Sequence, residues 1–364
     1  MAKVCHMTSV HPNKDIRIFY KECVTLADNG YEVVLIAPGE DRVEKNIQIK
    51  GIGMSGSNRL RRMLFMGRKV YKLALKENAD VYHFHDPELL PYGLKLKKKG
   101  KKVIYDSHED VPRQILAKYW IPSKLRKAVS KIYEKYEKKV AKRLDCVVTV
   151  TEHIAGIFKN YHCKVVVVKN FPLLNDIQCK LDDYEERGNV ICYAGGVTEQ
   201  RGITTLIKAI SGLDVKLNIA GSLSEEYKEK LMSLPGWDKV NYVGYLDREG
   251  ISKLYNRSCV GMVTLKDTPN HRYSLPIKMF EYMAAGIPVI ASNFPVWAEV
   301  IEEVQCGLCV DPNNESDIAA AIQNLLSRPK EAKIMGKNGR KAVCEKFSWE
   351  NEAKKLLNLY QKVL

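Results

Sequence analysis

The sequence predicts an α/β protein of two doubly wound units in tandem, and three observations carry that reading. At 364 residues the chain is long for one ordinary core. Short apolar segments alternate with helix-like segments from the start, as in a parallel sheet covered on both faces. The alternation then restarts near residue 190, after VVVVKNFPLLND, whose Asn-Phe-Pro reads as a hinge or linker. The expected division is 1–170, then 171–345, with a closing helix in 346–364 that packs back on the first unit.

The elements follow in order. KVCHMTSV is a strand, IRIFYKECVTLADNG a helix stopped at Gly30, and YEVVLIAP the next strand. NRLRRMLFMGRKVYKLALKEN is a basic helix, ADVYHFHD a strand, LLPYGLKLKKKG a helix and KKVIYDSHE a strand. The long basic stretch IPSKLRKAVSKIYEKYEKKVAKRL is helical, and the strand CVVTVT follows. In the second half NVICYAGG runs into a Gly-rich turn and the helix GITTLIKAIS. VKLNIAGS, VNYVGY, VGMVTL, IPVIAS and CGLCVDP read as strands, with helices from Glu315 to the end. The stretch YSLPIKMFEYMAAGIPVIAS starts a helix at Pro276, whose missing N–H is harmless in a first turn, and stops it at Gly286. Lys278 and Glu281, three residues apart, then share a face, either as an anion- and hydroxyl-gripping pair or as a solvated ion pair. Ligands of such units bind outside the carboxyl ends of the strands, and two facing units form a cleft.

With 45% hydrophobic and 28% charged residues the composition is globular. No apolar run is long enough to span a membrane, and MAKVCHMTSV lacks the apolar core of a secretion signal, so a cytoplasmic protein is expected. The ten cysteines are scattered except for Cys306 and Cys309 in CGLC, which has no second pair to complete a zinc site; reduced thiols are the simpler account. The charge is uneven: residues 1–170 hold 34 Lys+Arg against 18 Asp+Glu, whereas 171–364 hold 24 against 25. A basic half suits an anionic partner, whether nucleic acid, a phospholipid surface or a phosphate-bearing substrate. No nucleic-acid-reading motif accompanies it. RLRRMLFMGRKVYKLAL and KLRKAVSKIYEKYEKKVAKRL mix cations with apolar residues, as interfacial helices do and as solvated faces of a Lys-rich protein also do.

Several stretches can carry chemistry. In YAGGVTEQRG, Gly195 and Gly196 allow close backbone approach to a diphosphate, and Arg201 supplies charge; tight turns also use such pairs. The stretch lacks G-x-G-x-x-G, which argues against a dinucleotide dehydrogenase. HFHDPELLP and YDSHED end strands with His85, Asp86, His108, Glu109 and Asp110, where a cleft places its working groups. The chelating helical i, i+4 pair is absent, so sugar or phosphate contact is preferred to zinc. His83, deeper in its strand, fits a satisfied buried histidine. In HPNKDIRIFY, Asp15 caps a helix, and Arg17 either meets an anion in the cleft or pairs with Asp15 or Glu22 on the surface.

Together these pieces resemble glycosyltransferase family 4, the retaining nucleotide-sugar transferases of the GT-B fold, two facing Rossmann-like domains with a cleft between them. The resemblance runs through GYEVVLIAP, ADVYHFHDPELLP, VIYDSHED, YAGGVTEQRG, LNIAG, VNYVGYL, MFEYMAAGIPVIAS, CGLCVDPNN and FSWENEAKKLLNLY, and is nearest to members from bacterial surface-polysaccharide assembly. It implies an N-terminal acceptor domain and a C-terminal donor domain. Glu281 matches the second Glu of the Glu-x7-Glu motif, which grips the ribose, and Arg201 stands at the Lys that holds the donor diphosphate. His108 matches the His beside the transferred sugar. Glu299 matches a Glu after the PVIAS strand, Gly221 closes LNIAG on the donor side, and Val243 and Gly244 line the base pocket. Tyr273 replaces the first Glu of the motif, Gly196 replaces a common Arg, and Pro276 stands at a usual Gly. Lys278, with Arg17 second, is the candidate to restore the lost positive charge.

The resemblance implies sugar transfer from a nucleotide diphosphate sugar, UDP-sugar favoured, to a hydroxyl of a glycan or lipid-linked acceptor in capsule, exopolysaccharide or cell-wall synthesis. No metal or other cofactor, no enzyme nucleophile and no nucleic acid is implied. An anionic membrane surface on the cytoplasmic side is a further expected partner. The alternatives are a non-hydrolysing nucleotide-sugar epimerase of the same fold and a non-catalytic nucleotide-sugar binding protein.

Overall fold

The computed structural model describes every residue except 54–58, 119 and 181–183, and leaves undescribed the side chains of 59–64, 269 and 270. The chain divides into two compact units, Met1–Asn170 with Asn351–Leu364, and Phe171–Glu350.

The first unit is built on eight strands: β1 (Lys3–Met7), β2 (Glu32–Ala37), β3 (Arg42–Glu44), β4 (Ile47–Gly51), β5 (Val81–Phe84), β6 (Lys102–Ser107), β7 (Cys146–Thr149) and β8 (Val165–Val167). They lie in the order β3-β4-β2-β1-β5-β6-β7-β8. All neighbours run parallel except β3 and β4. The chain leaves β1 toward one edge and later returns to β5 at its other side, so the order reverses between these strands. A crevice at such a switch point is where doubly wound sheets carry ligands.

Two features were not legible in the pattern. The β3–β4 hairpin turns at Lys45 and Asn46, both at positive φ (51° and 61°). That geometry suits a two-residue hairpin, but Lys-Asn lacks the usual glycine signal. The expected first helix is also not uniform: Ile16–Cys23 is π-helical and only Val24–Asp28 is α-helical. Both Phe19 and Tyr20 donate to the Asp15 carbonyl (3.0 and 3.3 Å), which widens the turn. The basic helix expected from Asn58 runs Arg59–Glu77; Asn58 itself lies outside the described residues.

The second unit has six parallel strands, β9 (Val190–Ala194), β10 (Lys216–Ala220), β11 (Val240–Gly244), β12 (Val260–Val263), β13 (Val289–Ser292) and β14 (Gly307–Val310). Their order is β11-β10-β9-β12-β13-β14, which is that of the dinucleotide-binding fold. The switch point falls between β9 and β12. The helix Ile277–Ala284 that carries Lys278 and Glu281 buries Met279, Phe280, Tyr282 and Met283. It is seated from behind by the helix Pro329–Glu345, which presents Gly336 to the Gly286 backbone and Gly339 to the Met283 side chain. A methyl group at 336 would overlap the Gly286 carbonyl, and main chain cannot step aside as a flexible side chain can. Gly336→Ala should therefore destabilise the second unit by on the order of 2 kcal/mol, read as a lower urea midpoint at unchanged slope.

Candidate functional site

In the second unit, three adjacent strands end in glycines at positive φ: Gly195 after β9 (139°), Gly221 after β10 (141°) and Gly244 closing β11 (72°). They interlock through the main chain. Gly195 N–H donates to the Ala220 carbonyl and Gly221 N–H to the Gly244 carbonyl, both at 2.8 Å. A Cβ on Gly221 would collide with the Gly195 backbone. The result is a shelf of bare main chain along the carboxyl edge of the sheet, flanked by the half-buried Val243. Gly196 continues it, and its carbonyl accepts the Tyr193 hydroxyl at 2.8 Å.

Lys278 lies on this shelf. Its side chain is buried, at 8% exposure, and the space that a Cβ on Gly195 would fill is taken by its ammonium. Nζ stands 4.6 Å from the centroid of the Tyr193 ring and donates to the Tyr193 hydroxyl at 3.4 Å. Among the described residues it has no ion-pair partner. Burial, reinforced by the positive charge of Arg201, lowers its pKa from the usual lysine value to about 7, against a small opposing pull from Glu281. Glu281 does not pair with Lys278; it accepts the Tyr255 hydroxyl at 2.9 Å. The shared face is therefore no simple solvated ion pair.

Arg201 ends a short 3-10 turn, Glu199–Arg201, and Gly202 (φ 76°) then packs on the Thr264 carbonyl beyond β12. No residue with a side chain fits that contact. Among the described residues the Arg201 guanidinium has no hydrogen-bond or ion-pair partner, yet its charge is felt by Lys278, Tyr193 and His271. Burial and then that charge lower the His271 pKa, although Nδ1–H donates to the Lys266 carbonyl at 2.8 Å. Burial works against the Glu199 carboxylate, but Lys266, Thr204 and Lys230 hold it down at about 2. Arg201, Lys278, His271 and Lys266 thus share one electropositive locale. Sequence reading assigned no role to His271, Lys266 or Tyr193. Lys266 and His271 lie in the one connection between β12 and the helix Ile277–Ala284 and Tyr193 in β9, and only the fold brings that connection to Arg201 and Lys278. Tyr273 is half exposed, and Glu299 is exposed on the helix Pro295–Val304 with no hydrogen bond or ion pair among the described residues. Cys306 and Cys309 are free thiols, their pKa values pushed up by burial to about 12 and about 11.

The first unit gathers its histidines and acids otherwise than expected. Asp15 caps its helix, accepting from the Arg17 and Ile18 N–H groups at 2.9 Å each. Arg17, however, is neither at the surface nor open to an anion. It is buried, donating through Nε (3.1 Å) and a terminal nitrogen (2.9 Å) to Asp106, with Glu22 at 3.0 Å and the Val168 carbonyl at 3.0 Å. The wide π turn puts Arg17, Lys21 and Glu22 on the inward side, which an α-helical reading of the sequence could not foresee. His85 and Asp86 are also enclosed. Asp86 accepts from Thr8 Oγ1 (2.8 Å), Ser9 N (2.5 Å) and Ser9 Oγ (3.2 Å), fixing the loop after β1 to the end of β5.

A chain of close polar contacts joins Tyr360 in the helix Trp349–Val363 to His6 (3.1 Å), His6 to His85 (3.0 Å) and His85 to His108 (3.4 Å). His83 meets the Tyr360 hydroxyl at 2.8 Å. Burial keeps His6, His83 and His85 neutral, lowering all three pKa values. Asp106 is held ionised by Arg17 and His108 against burial, while burial and the Asp106 charge make Glu22 the member that retains a proton. His108, 3.3 Å from Asp106, keeps 18% of its side chain exposed. Glu22, His83, His85 and Asp106 offer ligand atoms within 4.8 Å of one another, a spacing a metal ion can use. The Arg17 guanidinium already lies on both carboxyl groups, so a second cation would meet its charge. Asp106→Asn removes the charge that keeps Glu22 protonated and lets Glu22 ionise against Arg17 in its place. Asp106→Asn combined with Glu22→Gln, which leaves a lone buried cation, should lower stability by about 3–5 kcal/mol in chemical denaturation, and Asp106→Asn alone by less than that.

Comparison with known proteins places this geometry. Residues 17–171 match the family model described as Glycosyltransferase Family 4, and residues 182–342 match Glycosyl transferases group 1. An uncharacterised glycosyltransferase of Methanocaldococcus jannaschii is 27% identical over 99% of this chain and 98% of its own. An MMP α-(1→4)-mannosyltransferase of Mycolicibacterium hassiacum is 25% identical over 77% of this chain and 70% of its own. Among solved structures, sucrose-phosphate synthase from Thermosynechococcus elongatus aligns with a TM-score of 0.81 at 18% identity, covering 100% of this chain and 99% of that one. Anabaena HepE in complex with UDP and glucose aligns with a TM-score of 0.76 at 13% identity, covering 100% of both chains. The chain belongs to glycosyltransferase family 4: it is a glycosyltransferase of the GT-B fold, with two Rossmann-like α/β domains.

Proposed function

We propose that the protein transfers a sugar from a UDP-sugar to an acceptor hydroxyl with retention of anomeric configuration. The acceptor is a lipid-linked saccharide of capsule, exopolysaccharide or cell-wall glycan synthesis on the cytoplasmic side. The observation that carries the reading is the Lys278 ammonium, buried against Gly195 and within the field of Arg201, neither cation having a carboxylate partner among the described residues. Two cations beside a shelf of bare main chain form a site for a diphosphate, which can come close to the Gly195–Gly196 backbone where side chains would block it. UDP in the HepE structure supports the choice of base.

In this reading Arg201 and Lys278 stabilise the charge that develops on the departing diphosphate, with no metal required. The leaving phosphate departs on the face the acceptor enters and takes the acceptor proton, so no enzyme nucleophile is needed. Glu281, held by Tyr255, receives the ribose hydroxyls. Gly195, Gly196 and Gly221 border the diphosphate, and Val243 and Gly244 the base. Tyr273, at the position of the missing carboxylate, and Glu299 complete the donor side. His108, oriented by Asp106, is assigned to the transferred sugar.

Arg201→Ala should lower kcat by about 10²–10³-fold, whereas Glu281→Ala should act mainly on donor affinity; full activity in both variants removes the site. The Lys278 ammonium is fully charged only well below pH 7 and loses its proton as pH rises through about 7, while a bound diphosphate favours the charged form. UDP affinity should therefore fall between pH 7 and 9, by up to roughly tenfold per unit, and Lys278→Met should flatten the profile. Titration calorimetry across this range measures both.

A further inference from the structure

The helix Ser123–Ala141 exposes apolar side chains in one line. At about 100° per residue, Leu125, Val129, Ile132 and Tyr136 fall within a stripe roughly 60° wide. Leu125 is 54% and Ile132 69% exposed, and Val129 and Tyr136 are also open to solvent. On one side of the stripe the helix is seated on its own unit through Ser130, Tyr133, Glu137 and Val140. On the other side runs a row of Lys124, Lys131, Lys135 and Lys139. Residues 123–143 hold nine Lys or Arg against two Glu, and the adjoining segment exposes Leu116 and Trp120. Single exposed apolar residues are ordinary, but four in register beside a lysine row are the two halves of an interfacial surface.

We propose that this face seats on an anionic lipid bilayer, the stripe entering the acyl boundary and the lysine row meeting headgroup phosphates. Charge decides between occupants. A second copy of the chain would bring lysine row against lysine row, whereas an anionic surface neutralises it and repays the burial of the stripe. The inference deepens the proposed function, and for its purpose rests on the lipid-linked acceptor: an enzyme held at the surface meets such an acceptor in two dimensions.

The test is sedimentation of the full chain with phosphatidylcholine–phosphatidylglycerol vesicles and with phosphatidylcholine alone, at low and high salt. The wild type should pellet with the mixed vesicles at low salt and be released by salt. Leu125→Ser with Ile132→Ser should lower partitioning on the order of 100-fold, both residues being solvent-exposed in the fold. Lys131→Glu with Lys135→Glu and Lys139→Glu should abolish the preference for anionic vesicles. Absence of wild-type binding at low salt, equal binding to neutral vesicles, equal binding by the serine variant, or self-association that depends on the stripe would each overturn the proposal. UDP binding is measured on the same samples; its loss in every form would count against the donor site alone, and the sedimentation result would stand.

Discussion

A positive charge held out of water with no matching carboxylate among the described residues is the constraint on which the geometry at the strand ends of the second unit turns. Lys278 is seated where the Gly195 backbone leaves room for it, over the Tyr193 ring and within the field of Arg201. Such an arrangement lowers the pKa and costs stability, a cost that the anion of the proposed function would offset. The glycines after β9 and β10 serve the same end: Gly221 lets the two strand ends meet where a side chain would strike the Gly195 carbonyl, and Gly195 leaves the room that the Lys278 ammonium fills. Helix, shelf and cations are one device.

The other unit solves the opposite problem. There Arg17 is as buried as Lys278, but Asp106 and Glu22 surround it, and the neutral imidazoles of His6, His83 and His85 fill the remaining space. The C-terminal helix closes the group through the Tyr360 hydroxyl. A saturated arginine of this kind is a structural cation that orders its neighbours, among them the Asp106 carboxylate that faces His108. The buried cations of the two units thus differ in their surroundings: Arg17 meets carboxyl groups, and Lys278 has no ion-pair partner among the described residues.

Much of the fold was legible because parallel strands covered on both faces read as short apolar runs between amphipathic helices. The restart near residue 190, the stop at Gly286 and the cap at Asp15 follow from local chemistry that a sequence displays directly. The β3–β4 hairpin was not legible, since Lys45 and Asn46 adopt positive φ without a glycine to announce it. Nor was the π-helical turn at Ile16–Cys23, because its wider period reassigns which of Arg17, Lys21 and Glu22 face inward.

For the candidate site, sequence alone determined the residue types and their placement at strand ends: the Gly pair at 195, Arg201 after the turn, and Lys278 with Glu281 in one helical register. These follow from spacing, and spacing is local. Only the tertiary structure decided partners. It gave Glu281 to Tyr255, left Lys278 without a carboxylate partner among the described residues, enclosed Arg17, His85 and Asp86, and brought His271 under the influence of Arg201. Partners are set by which strands and loops the sheet order makes adjacent. Burial then sets what each charge costs, and neither quantity exists until the chain is folded.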